Sequence, residues 1–121
     1  MKDQRVVFLR GVLDGLVESL DATLRISRWT GTESVPEPLQ RAAAQLVDRL
    51  GAANRLAAGK FNGSPVVVNS MTAMSSAIQR LDAAFVEFRR TLTGPPAQKD
   101  EGVLALEAEL GAVKAESARW S

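Results

Sequence analysis

The 121-residue chain contains no cysteine, no histidine and no tyrosine. Without cysteine there is no disulfide framework, no thiolate metal site and no cysteine nucleophile. Without histidine, the commonest metal ligand and the commonest acid–base group are missing together. Charge of one sign is also scarce: 15 basic and 14 acidic residues leave a net charge of +1, so no global field draws the chain to nucleic acid or an anionic membrane. Residues 1–60 carry nine basic and seven acidic groups, residues 61–98 three and two, and residues 99–121 three and five. None of these regions has the one-sided Lys/Arg cluster of a nucleic-acid partner. Long apolar runs are absent too. Arg10 and Asp14 interrupt the apolar N-terminal segment, which excludes both a signal-peptide centre and the roughly 18 apolar residues of a membrane span. The expectation is a soluble chain in a bacterial-type cytoplasm.

What the chain does have is a heptad ladder. Val67, Met71, Met74, Ile78, Leu81, Phe85, Phe88 and Leu92 recur at alternating spacings of four and three, the period that turns one apolar seam toward a partner helix. Its length suits one domain, residues 1–121. A first helix is expected over about 3–28 on the stripe Val6, Leu9, Leu13, Leu16, Leu20 and Leu24, with Asp3 at its start and Arg25 and Arg28 at its end, as the helix dipole prefers. Gly31, Pro36 and Pro38 stop it and launch the next. The second helix, about 38–58, carries Leu39, Ala43, Leu46, Leu50, Ala53 and Ala57, with Gly59 placed as its C-terminal cap. Ser64 can cap a third helix over 65–92 with Pro65 in its first position, and Gly94-Pro95-Pro96 ends it. A fourth, about 100–119, carries Val103, Leu106, Leu110, Val113 and Trp120. Short linkers favour antiparallel neighbours, hence an all-α, up-down-up-down four-helix bundle with left-handed, coiled-coil-like packing.

Three features bear on function. Residues 61–79 contain no Asp, Glu, Lys or Arg in a chain that is 24 % charged, and the positions read as outward there are Asn69, Ser70, Thr72, Ala73, Ser75 and Ser76. Small neutral residues where a solvated helix carries charge suggest a covered face, either within the bundle or against a partner. Second, Gly11, Gly15, Ser19 and Ala22 form a column of small residues on the first helix, with Phe8 and Ile26 on the same side. Two interior glycines cost about 1 kcal/mol each, and close packing, in the bundle or between subunits, would offset them. Third, Met71, Met74, Phe85 and Phe88 could line an apolar ligand cavity, although such a stripe is more often plain core. Asn54, beside the second seam, reads as a register-fixing amide or a solvated one.

Trp29-Thr30-Gly31, between the first two helices, resembles the W-x-G turn of the WXG100 proteins of type VII secretion. That resemblance implies a helical hairpin that pairs with a like partner and is exported without a cleaved signal. It covers three residues, two further helices follow, and the family's C-terminal tyrosine-plus-acid signal has no counterpart in a chain without Tyr. The plain reading of the same residues is a Trp anchoring a helix end and a Gly permitting a turn.

Enzyme readings find no support. No seam position is acidic, so a carboxylate di-metal bundle lacks its ligands; haem and phosphotransfer bundles need histidine. No phosphate-cradling G-x-x-x-x-G-K-S/T loop is present, and no base stands ready to activate a serine. Catalytic, cofactor and metal residues are therefore expected to be none. The expected function is non-enzymatic protein–protein association, as a homo-oligomer or with another helical protein, through Gly11, Gly15 and Ser19 on the first helix and Val68, Ser75 and Ser76 on the third. A bundle that binds a small apolar ligand is the alternative, and a type VII secretion protein a weaker one.

Overall fold

The computed structural model describes residues 4–28, 37–59, 61–92, 96–117 and 119, with the backbone alone at 26–28 and 96–99. The Trp29–Gly31 turn, Asp3, Pro36, Gly94, Pro95, Trp120 and the Ile26 side chain, all given roles above, lie outside the described residues.

Four helices follow in order: α1 (Gln4–Arg28), α2 (Glu37–Ala57), α3 (Pro65–Leu92) and α4 (Pro96–Ser117). They form a four-helix bundle. Each helix packs on the next and α4 closes back on α1, while α1 and α3 also touch across the centre. Among the described residues α2 and α4 do not meet.

The seams close as their periodicity requires. Leu9, Leu13, Leu16, Leu20 and Leu24 of α1 are buried, as are Leu39, Ala43, Leu46, Leu50, Ala53 and Ala57 of α2. From α3 come Met71, Met74, Ile78, Leu81, Phe85 and Phe88, and from α4 Leu106, Leu110 and Val113. Val6, Val67, Leu92 and Val103 lie half-buried at the margins. The Phe85 and Phe88 rings are stacked with centroids 5.9 Å apart. Burying a Leu or Phe side chain contributes about 1.5–3 kcal/mol, so these seams carry the fold.

Local signals set the ends. Ser64 Oγ accepts from the Val67 N–H at 3.4 Å and Ser64 O from the Val68 N–H at 3.0 Å, which leaves Pro65 in the first position of α3, where its missing N–H costs nothing. α4 begins at Pro96, four residues before the expected Asp100, for the same reason: a proline that terminates one helix also suits the first turn of the next. Gly59, expected as the cap of α2, has no left-handed φ; among the described residues the left-handed glycine is Gly63, with φ +128°.

Candidate functional site

The seam residues carry no chemistry, so the informative surface is what the bundle leaves uncovered. Phe8 is 60 % exposed and Leu56 49 % exposed. Together with Gln4, Arg5, Leu9, Phe61 and Met71 they line an open cleft of about 380 Å³ where the start of α1, the end of α2 and the turn into α3 converge. Arg5 is fixed at the rim of this cleft: its Nη1 donates to Asn62 Oδ1 at 2.9 Å, and its Nη2 lies 3.1 Å from where a Cβ on Gly63 would sit. The turn residues therefore position a guanidinium beside an apolar floor.

The same flank continues along α1. Gln4, Phe8, Gly11, Gly15, Ser19 and Ala22 follow one another at spacings of three and four, so they share one helix face. Ser19 and Ala22 line a second, smaller cleft of about 150 Å³ with Ala42, Gln45 and Arg49 of α2. Arg49 Nη1 donates to Ser19 Oγ at 2.6 Å. Gly11 and Gly15 lie between the two clefts, both exposed, and a Cβ added to either would meet nothing within 4 Å among the described residues. Packing inside the bundle thus does not account for these glycines.

The α3 residues read from sequence as interface lie elsewhere. Ser76 is exposed and Val68 half-buried, whereas Ser75 is only 6 % exposed, inside the bundle rather than outward. Asp82, seven residues after Ser75 on the same side of α3, accepts a hydrogen bond from Asn54 Nδ2 of α2. Arg49 and Asn54 are five residues apart on α2, hence about 140° apart around its axis. Gly11, Gly15 and Ser19 therefore follow the α1–α2 flank and Ser75 the α2–α3 junction, and the structure does not join them into one surface. The charge-free run is divided likewise: Met71, Met74, Ser75, Ala77 and Ile78 are buried, while Val66, Asn69, Thr72, Ser76 and Gln79 face out.

Polar contacts explain how the helices are registered. Arg80 of α3 grips Glu116 of α4 with two hydrogen bonds of 2.9 and 2.5 Å and lies 3.5 Å from Glu109. The hydrogen-bonded guanidinium holds the Glu116 carboxyl below the ordinary carboxylate range, and the carboxylate raises Arg80 in return. Lys114 of α4 meets Asp21 of α1 at 2.6 Å. The partners in Asn54–Asp82, Arg80–Glu116 and Asp21–Lys114 lie 28 to 93 residues apart in the chain, so helix periodicity alone could not pair them.

Met74, Phe85 and Phe88 are core, while Met71 contributes its edge to the open cleft. Among the described residues no cluster of three or more acidic, His or Cys side chains could hold a metal ion, and no helix is long and apolar enough to cross a membrane. Compared with known proteins, the chain matches no family model, and no curated protein or solved structure is significantly similar to it.

Proposed function

We propose that this is a non-enzymatic protein that works by helix–helix association, with the α1–α2 flank as its docking face and a homo-oligomer as its working form. One observation carries the reading: Gly11 and Gly15 cost the helix about 1 kcal/mol each, yet among the described residues nothing lies within 4 Å of the space their missing side chains leave open. A closely approaching helix would use that space. Phe8 and Leu56 beside it offer the apolar area such a contact needs.

The test is Gly15→Leu. The site has room for the side chain, so the variant keeps its helicity by circular dichroism but stays monomeric by light scattering where the parent chain associates. Association that survives both Gly15→Leu and Phe8→Asp would overturn the face.

The cleft at Phe8 also supports the ligand reading, in which an apolar dye raises the melting temperature without changing the mass. It is the weaker of the two because the cleft is open, whereas pockets bury about 70–90 % of a small ligand.

A further inference from the structure

We infer that the cleft between α1 and α4 binds a small aliphatic zwitterion, the chemistry of a free aliphatic amino acid. This cleft has a volume of about 340 Å³, at the small end of the range for ligand sites. It shares no lining residue with the two clefts on the α1–α2 flank. Its floor is apolar, formed by the buried side chains of Leu24 and Leu110. Its walls carry two charges of each sign, Asp21 and Arg25 from α1 and Glu107 and Lys114 from α4.

The way these charges pair selects the ligand. Lys114 Nζ meets Asp21 Oδ2 at 2.6 Å, so Asp21 is engaged across the helices rather than with Arg25, its neighbour one turn on along α1. Arg25 makes no ion pair among the described residues, with Glu107 or any other, although it and Glu107 line the same cleft. A cation and an anion that face one cleft without touching leave a gap that a molecule of both signs bridges, its carboxylate on the guanidinium and its ammonium on Glu107. Glu107 serves while keeping an interaction of its own, because a carboxylate has about four acceptor positions. A simple anion would meet the carboxylates of Asp21 and Glu107 and a simple cation would meet Arg25 and Lys114, so like-charge contacts disfavour both.

Gly111 makes room for the aliphatic body. It lies four residues after Glu107 and three before Lys114, hence on the same face of α4. It is exposed, and a Cβ added to it would meet nothing within 4 Å among the described residues. An interior glycine weakens a helix relative to alanine; here the missing side chain keeps the Leu24 and Leu110 floor open between the two unlike charges.

The experiment is an NMR titration of the full chain with L-leucine, read at the methyl groups of Leu24 and Leu110, with light scattering alongside. Saturable shifts at those methyls without a change in mass are expected. N-acetyl-leucine, which lacks the ammonium, and leucinamide, which lacks the carboxylate, are each expected to bind at least about tenfold more weakly. Arg25→Met and Glu107→Gln, both at exposed positions, are expected to weaken leucine by a similar factor. Gly111→Leu is expected to abolish binding by filling the cleft, with circular dichroism unchanged; if that variant fails to fold, the Arg25 and Glu107 variants decide. No saturable shift with leucine, valine or isoleucine at millimolar concentration overturns the inference. Equal binding of N-acetyl-leucine, or leucine binding that survives Gly111→Leu in a folded chain, does the same. Shifts confined to the surroundings of Phe8 and Leu56 would also overturn it, by assigning the aliphatic ligand to the other flank.

Discussion

Thr91 of α3 lies so close to Gly102 of α4 that a Cβ added to the glycine would collide with the threonine Oγ1 and sit 3.1 Å from its Cβ. The hydroxyl also donates to Phe88 O at 2.8 Å, so it cannot swing aside without breaking that bond. Gly102→Ala is therefore expected to destabilise the bundle by about 1–3 kcal/mol through overpacking, despite alanine's better helix propensity. Gly11→Ala, with open space around it, is expected to stabilise the monomer by up to about 1 kcal/mol. Thermal unfolding of both under conditions that keep the chain monomeric checks the contrast, and equal shifts of the same sign would refute it.

The two glycines show where a sequence stops being informative. Both lie in helix interiors with the same local cost, and only the position of Thr91, eleven residues away across a turn, distinguishes them. The seams were legible because burial repeats with the helix period: every α2 position from Leu39 to Ala57 read as inward is buried. The start of α4 was misplaced because Pro95 and Pro96 read together as a stop, although the second proline opens the next helix. Ser75 was read as outward because a serine carries no hydrophobic signal. The cleft was hidden because its floor comes from Phe8, Leu56 and Phe61 on three separate segments, each unremarkable alone.

Acid should loosen α4. The Arg80 guanidinium, hydrogen-bonded to Glu116, depresses the carboxyl's folded-state pKa against the opposing effect of burial. The unfolded chain, with a pKa near 4.3, then takes up its proton first as pH falls. The contribution is fully present above that value and is lost as pH drops through the lower folded-state pKa. Side chains about a third exposed keep it modest, so Arg80→Met is expected to cost about 1 kcal/mol at pH 7. Denaturant titrations from pH 7 to 2 should show a shallower acid decline in Arg80→Met and Glu116→Gln than in the parent chain; parallel curves would mean that the pair contributes nothing.

Gly63 should resist substitution for two separate reasons. Its φ of +128° is strained for any residue with a Cβ, and such an atom would stand 3.1 Å from Arg5 Nη2. Gly63→Ala is expected to cost about 1–3 kcal/mol and to release the guanidinium from Asn62. Asn62→Ala removes the hydrogen bond without the backbone strain, and so should loosen Arg5 with little loss of stability. If the cleft acts through a positioned Arg5, both variants should weaken association, and only the first should lower the melting temperature appreciably.

Ser75 offers the opposite case, a residue whose removal should help. Its Oγ is buried with no hydrogen-bond partner among the described residues, and an unsatisfied buried hydroxyl costs about 1–3 kcal/mol. Ser75→Ala keeps the volume nearly constant and is expected to raise stability by about 1 kcal/mol. Ser75→Val would overfill the α2–α3 junction and should lower it. The pair of substitutions separates packing from polarity. A loss of stability in Ser75→Ala would mean that the hydroxyl finds a partner in solution, and a loss of association with unchanged stability would return Ser75 to the interface.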